Sequence, residues 1–389
     1  MEYNILDLFC GTGSFAHGFL QHSKKYKLAA AIDILKVATE TVRANNPNCF
    51  IINEDIRKVN PFIIKEGMNG GKIDLIIGGP PCQGFSSIRP NRSNINADSR
   101  NNLFQEFARF VQYFRPTYFV LENVVGLLTH NGGMTLRTLE RCFADLDYYT
   151  DWRILNAANF GVPQKRERFI LIGSTKKEFI NFPQPTHNFK GKIIGYNNRS
   201  KMIIAPEGSK NAITLFEAIS DLPKLNNGEE SNKYRYSPLN DYQRKLRKDC
   251  KQLTLHEASN HSLKMLEIIK HSSHNISSIP SHLITSGFSS CYSRMNPNEP
   301  ANTITVKFRS PSSSKCIHPY QDRSLTIREA ARIQGFEDDF KFSGSNTDIS
   351  SLIGNAVPAP LGEAIAASML ASLNSIKKST KSEYVTVEK

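Results

Sequence analysis

Short apolar runs alternate with helical stripes through the first 175 residues. Ile5 to Phe9 reads as a buried strand, and a glycine-rich turn leads from it into an apolar helix start at Phe15. Leu28 to Ile32 reads as a second buried strand ending at Asp33, which completes a βαβ unit. The alternation continues with a helix over Val37 to Ala44, a short strand from Phe50 to Ile52 and a strand from Ile73 to Ile77. Leu103, Phe107, Val111 and Phe114 mark one face of the next helix, and Tyr118 to Leu121 and Phe169 to Ile172 are further strands. This order predicts an α/β fold, a doubly wound, mixed and mostly parallel sheet.

Beyond Lys176 the periodicity fades while Asn, Ser, Lys and Pro rise, which predicts a second, smaller, irregular α+β domain over 176–320. Ser324 to Phe336 then reads as a capped amphipathic helix, and Leu361, Ile365, Met369 and Leu373 stripe a final helix. The expected division is a catalytic and cofactor-binding domain of 1–175 plus 321–374, the second domain between them, and a flexible tail over 375–389, rich in Lys, Ser and Thr.

With 39% hydrophobic and 22% charged residues the composition is ordinary, and no apolar run looks long enough to span a bilayer, so no membrane partner is expected. The chain opens directly on its first strand, without an export leader or a preceding module, and the expectation is a cytoplasmic or nucleoid protein of prokaryotic type. Seven cysteines without a CxxC pair suit a reducing compartment and no disulfides. A net charge of +13 favours a polyanionic partner.

Candidate chemistry gathers at strand ends. Gly78-Gly79-Pro80-Pro81-Cys82-Gln83-Gly84-Phe85-Ser86 follows an apolar run, so Cys82 stands where a strand breaks into a loop, the edge at which open α/β sheets bind ligands. A cysteine there is a candidate nucleophile whose thiolate the site must stabilise. Asp7 to Phe15 carries the turn with Gly11 and Gly13, and Asp33 ends the second strand, a layout suited to a nucleoside whose ribose hydroxyls an acid can hold. The turn alone does not separate NAD from S-adenosylmethionine. Asp55 could read an adenine amino group in either case. Glu122 ends the strand expected beside that of Cys82, and a solvated surface group is its plain alternative. Alternation in Gln164-Lys165-Arg166-Glu167-Arg168 puts Gln164, Arg166 and Arg168 on one face, where two arginines could brace a carboxylate and a polar ring. The polar, basic loop from Ser86 to Asn94 suits a flap over a phosphate backbone. The histidines at 256, 261, 271, 274 and 282 match no tetrahedral spacing, and no metal is expected.

Asp7 to Phe15, Gly79 to Gln83, Glu122-Asn123-Val124, Gln164 to Arg168, Arg328 to Phe336 and Gly354-Asn355-Ala356-Val357-Pro358 together resemble, in order, the motifs of the DNA cytosine-5 methyltransferases. One departure is Gly11-Thr12-Gly13-Ser14 in place of a glycine-richer turn. The resemblance implies the S-adenosylmethionine-dependent methyltransferase fold, with a variable target-recognition domain over 176–320. It implies duplex DNA as substrate, S-adenosyl-L-methionine as cofactor and S-adenosyl-L-homocysteine as product. Cys82 would attack C6 of a flipped cytosine while Glu122 contacts N3, Arg168 would hold the base, and Arg166 would support the cysteine loop. Phe9, Ile34 and Ile56 would sandwich the adenine, Gly11, Gly13, Asp33, Asp55, Pro81 and Leu103 would complete the cofactor site, and Asn355 and Val357 would close it. Gln83, Ser86, Ser87 and Arg89 would meet the DNA. A monomer and a separately acting restriction endonuclease are the expected assembly and partner. Two alternatives stand beside this reading: an RNA (tRNA) cytosine-5 methyltransferase, although the Cys-Phe-Thr segment of those relatives is missing from the second domain, and a non-catalytic DNA-binding regulator.

Overall fold

The computed structural model describes residues 2–81, 103–189, 201–284 and 287–386, with side chains through 374. Cys82, Gln83, Ser86, Ser87 and Arg89, and with them the expected flap, lie outside the described residues.

The chain builds β1 (Tyr3–Leu8), α1 (Ser14–His22), β2 (Tyr26–Asp33), α2 (Lys36–Asn45), β3 (Phe50–Asn53), α3 (Pro61–Gly67), β4 (Leu75–Gly78), α4 (Leu103–Phe114), β5 (Tyr118–Asn123), α5 (Met134–Ala144) and β6 (Tyr149–Asn156). After β7 (Gln164–Lys165) comes β8 (Glu167–Ser174). Seven strands form one sheet in the order β3-β2-β1-β4-β5-β8-β6. The first five pair in parallel, and β8 runs antiparallel to both β5 and β6. β1, β4 and β5 are buried on both faces, which is why they read as near-continuous apolar runs. One face packs on Phe104, Phe107, Val111 and Phe143 of α4 and α5; the other packs on Phe15 and Phe19 of α1 and on the stripe Leu361, Ile365, Met369 and Leu373.

The second region holds β9 (His187–Asn188), β10 (Lys210–Asn211), α6 (Leu215–Ile219), α7 (Asp241–Arg247), α8 (Leu263–His271) and β11 (Ala301–Asn302). Its strands are two residues long, so helices and loops carry it. Three helices follow: α9 (Ile327–Ile333), α10 (Asn346–Asn355) and α11 (Ala359–Thr386). Leu325 to Ala356 share a core with residues from Leu215 to Cys316, and Val357 is the first residue of the C-terminal segment to join the sheet's core.

Two sequence expectations change. α9 has the capping box, Thr326 with Glu329, but it is buried all round and therefore not amphipathic. Its charged residues are paired internally: Arg323 meets Glu329 at 2.6 Å, Arg332 meets Asp338 at 2.6 Å and also bonds Asp221. α11 runs on through residues 375–386, where neither Gly nor Pro follows Gly362 to stop the helix. Residues 346–374 do reach the length and apolar character of a membrane span, contrary to expectation, yet they are two helices broken at 356–358 whose apolar side chains fill the two cores.

The basic run of α7 is largely tied up within the protein. Lys245 pairs with Glu363 at 2.7 Å, Lys248 pairs with Glu337, and the Arg247 guanidinium lies 3.6 Å from the centroid of the Tyr234 ring. His256 is buried and bonded to the Pro223 carbonyl and to Thr326.

Candidate active site

A cavity of about 1160 Å³ opens at the C-terminal ends of β1, β2, β4 and β5, with the second region forming its far wall. Such a volume accommodates a nucleoside cofactor beside a base. Its floor is the turn after β1. Phe9, Gly11 and Gly13 take left-handed backbone angles (φ 58, 52 and 73), and the Cys10 carbonyl accepts from the Gly13 amide at 2.7 Å, which folds the chain tightly enough to start α1 at Ser14. Phe9 adopts this angle without glycine's freedom, the kind of local strain that collects at functional sites. Gly13 itself does not line the cavity. It turns toward α2, where a Cβ would sit 3.0 Å from Val42.

Asp33 at the end of β2 accepts the Gly11 amide at 2.8 Å and the Leu35 amide at 2.9 Å, so each carboxylate oxygen keeps lone-pair capacity for a hydroxyl. Burial raises its pKa, against those backbone donors. Ile34 beside it is 63% exposed at the rim, an apolar surface open to a flat ring, and Phe9 and Ile56 also line this end. Asp55 is held by Arg57, whose side-chain Nε donates to it at 2.9 Å, and this hydrogen bonding keeps the Asp55 carboxyl below the usual range. Pro81, Leu103, Asn355 and Val357 complete this half.

In the other half Glu122 of β5 and Arg168 of β8 meet across adjacent strands, Nε to Oε1 at 2.6 Å, both nearly buried. Arg166 is 2% exposed; its two terminal nitrogens donate to the Ile304 carbonyl at 3.1 Å and the Gly354 carbonyl at 3.0 Å. The predicted one-face alternation holds: Gln164, also buried, receives the Ile304 amide at 2.8 Å and donates to Gln334 at 2.9 Å. β11 pairs with β7, the two-residue strand just before β8, in a small sheet of their own, and the segment 302–306 lines the cavity with Glu122.

Several contributors were given no role of their own in the sequence. Asn123 donates to the Pro80 carbonyl at 3.2 Å and so ties the loop leading to Pro81 onto β5. Asn302 to Val306 carried no motif, and the pairing of β11 with β7 together with bonds from Gln164 and Arg166 to Ile304 brings them here. Asp7 was visible within the turn motif but had no role assigned. Among the described residues no group of three His, Cys, Asp or Glu could hold a metal ion.

A parallel sheet with one reversed strand, a glycine turn under an acid-ended second strand, and a carboxylate–guanidinium pair beside that pocket define an α/β enzyme of the nucleoside-cofactor methyltransferase type. The family is more specific. The model of the C-5 cytosine-specific DNA methylases matches residues 3–371, and the chain belongs to that family. It is similar to the type II methyltransferase M1.HphI of Haemophilus parahaemolyticus, 34% identical over 95% of this chain and 87% of that one. It is likewise similar to the type II methyltransferase M.DdeI of Desulfomicrobium norvegicum, 35% identical over 93% and 87%. Among solved structures, a candidate DNA modification methyltransferase encoded within an E. coli prophage superposes with a TM-score of 0.73 at 26% identity, covering 96% of this chain and all of that one. DNMT2 of Spodoptera frugiperda shares the fold, with a TM-score of 0.60 at 16% identity over 95% and 99% of the two chains. The chain is thus a DNA (cytosine-5)-methyltransferase, of a family whose methyl donor is S-adenosylmethionine.

Proposed function

We propose that the chain modifies one cytosine of a specific duplex sequence as the methylating half of a type II restriction-modification pair. The observation that carries the reading is the single cavity in which Glu122 and Arg168 face the Gly11 turn and Asp33 across Pro81, the residue before Cys82. The type II assignment is supported by relatives at 34–35% identity over most of both chains.

When bound, S-adenosylmethionine supplies an electrophilic methyl group and leaves as S-adenosylhomocysteine. The fit is good: apolar surfaces at Phe9, Ile34 and Ile56 suit the adenine, and Asp33 has capacity for the ribose. Cytosine C5 is a poor nucleophile. A bond from the Cys82 sulfur to C6, with Glu122 bonding or protonating N3, converts the ring into an enamine nucleophilic at C5. Arg168 orients Glu122 and holds the base, and Arg166 keeps the 302–306 wall in place. After C5 carries the methyl group, loss of its proton and expulsion of the Cys82 thiolate restore the aromatic ring. The target must leave the duplex stack, at about a few kcal/mol, and the 86–94 loop is the segment suited to close over it. Residues 176–320 are the proposed target-recognition part, and Gln83, Ser86, Ser87 and Arg89 the proposed DNA contacts.

Duplex DNA carrying 5-fluorocytosine should trap a covalent adduct at Cys82, because the final elimination is blocked. Cys82→Ala should lose methylation and keep DNA binding. An active preparation that forms no adduct refutes the covalent route, and labelling of tRNA but not DNA refutes the substrate. Bisulfite sequencing of a host genome expressing the chain reads out the target sequence.

A further inference from the structure

Gln334, just after α9, and Gln164 of β7 are both fully buried, at 0% exposed. A pair of apolar side chains could fill the same space at little cost in stability, so two buried carboxamides call for another reason. Their bonds run in one line. The Ile304 amide donates to Gln164 Oε1 at 2.8 Å, Gln164 Nε2 donates to Gln334 Oε1 at 2.9 Å, and Gln334 Nε2 donates to the Ile353 carbonyl at 2.6 Å. With a backbone N–H at one end and a backbone carbonyl at the other, each carboxamide can face one way only.

A second line runs beside the first, because Arg166 joins the Ile304 carbonyl to the Gly354 carbonyl. Both backbone groups of Ile304 are therefore linked, by two separate side-chain routes, to two successive carbonyls at the end of α10. A single tie leaves two segments free to swing about it; a second fixes their angle. The segments also touch directly, since a Cβ on Gly354 would lie 2.4 Å from the Val306 nitrogen. Residues 302–306 and 354–357 both line the cavity.

We propose that Gln334 is a positioning residue for methyl transfer: with Gln164 it locks the 302–306 wall in register with the 354–357 segment, and so sets the flipped base against the methyl donor. The proposal rests on the reading that 354–357 closes the cofactor end and that the base enters between Glu122 and 302–306. Attack on C6 does not need this register, because Glu122 and Arg168 are held by β5 and β8 and by each other. Transfer to C5 does, because base and donor rest on different supports, and a misplacement of about 1 Å can slow a reaction about a hundredfold.

Gln334→Met cuts this route with little else disturbed. The Ile353 carbonyl keeps the Ala356 amide at 3.2 Å, and Gln164 keeps the Ile304 amide and the Ile333 carbonyl, the latter at 3.4 Å. Two reactions of the full chain separate the steps, on a duplex holding the sequence found by bisulfite sequencing and tritiated at cytosine C5. Without cofactor, the enamine formed by Cys82 takes a proton from water at C5; loss of the triton and expulsion of the thiolate restore cytosine, so tritium release reports attack alone. Single-turnover transfer from S-adenosylmethionine reports alignment as well. Gln334→Met should release tritium within about twofold of the unaltered chain, bind S-adenosylhomocysteine and duplex DNA as before, and transfer methyl about tenfold or more slowly. Unchanged transfer overturns the proposal. So does an equal loss of release and transfer, or a parallel loss of affinity for both ligands, either of which marks Gln334 as packing. Should the variant not fold, Gln334→Glu, which keeps the acceptor and removes the donor, is read by the same outcomes. An unaltered chain that methylates without releasing tritium in the absence of cofactor makes attack and transfer one event and overturns the separation. One that does neither on DNA refutes the functional reading, and the register falls with it.

Discussion

Replacing Arg166 by methionine keeps most of the side chain's bulk and removes two hydrogen bonds, to the carbonyls of Ile304 and Gly354. The second carbonyl belongs to the last turn of α10, where helices leave acceptors unsatisfied and where a cation also complements the helix dipole. Hydrogen bonds from a charged donor contribute about 1.5–3 kcal/mol each, so the gross loss is about 3–6 kcal/mol. Against it stands the guanidinium's own burial, which pushes its pKa well down, and an Nε that finds no acceptor. The expected net destabilisation is about 2–4 kcal/mol by urea unfolding, a large share of a typical domain's stability. The loss should be local first, with amide hydrogen exchange accelerating at 302–306 and 354–357 before the strands of the sheet respond. Arg166→Lys can reach one carbonyl at most and should recover part of the loss. A change below about 1 kcal/mol with unaltered exchange in both segments would refute the idea that this side chain joins the second region to the sheet.

Gly354→Ala would place a Cβ 2.4 Å from the Val306 backbone nitrogen, so α10 and the 305–306 segment must separate; we expect weaker cofactor binding through the adjacent Asn355, measured by calorimetry, and unchanged affinity would contradict the contact. His318 is buried and its pKa is lowered to about 4, mainly by desolvation. A group depressed in the folded state costs stability as it is forced to protonate, so unfolding free energy should fall by about 2–3 kcal/mol as pH drops from about 6.5 toward about 4. His318→Asn should flatten that slope, and an unchanged slope would place the titration elsewhere.

The turn after β1 and the face shared by Gln164, Arg166 and Arg168 were legible because each is local: a period of two, or glycines between a strand and a helix. β6 was not, since Thr150, Asp151 and Arg153 break up the apolar signal of an edge strand. α9 misled for a different reason. Arg328, Glu329 and Arg332 look like a solvated face until Asp221, from 111 residues before Arg332, and the flanking Arg323 and Asp338 fold in to neutralise them. The 302–306 wall has no local signature, because its place is set by bonds from Gln164 and Arg166 almost 140 residues earlier in the chain.

The Ser14 hydroxyl donates to the Val357 carbonyl at 2.6 Å, Tyr26 reaches the Ala366 carbonyl, and Gly18 lies so close to α11 that a Cβ would be 2.2 Å from the Ala359 oxygen. These contacts join residues 340 or more positions apart, so β1 and its turn leave the ribosome long before the segment that braces them. A chain cut short before residue 357 lacks that segment, and the cavity keeps its floor while losing the Asn355 to Val357 side of its wall.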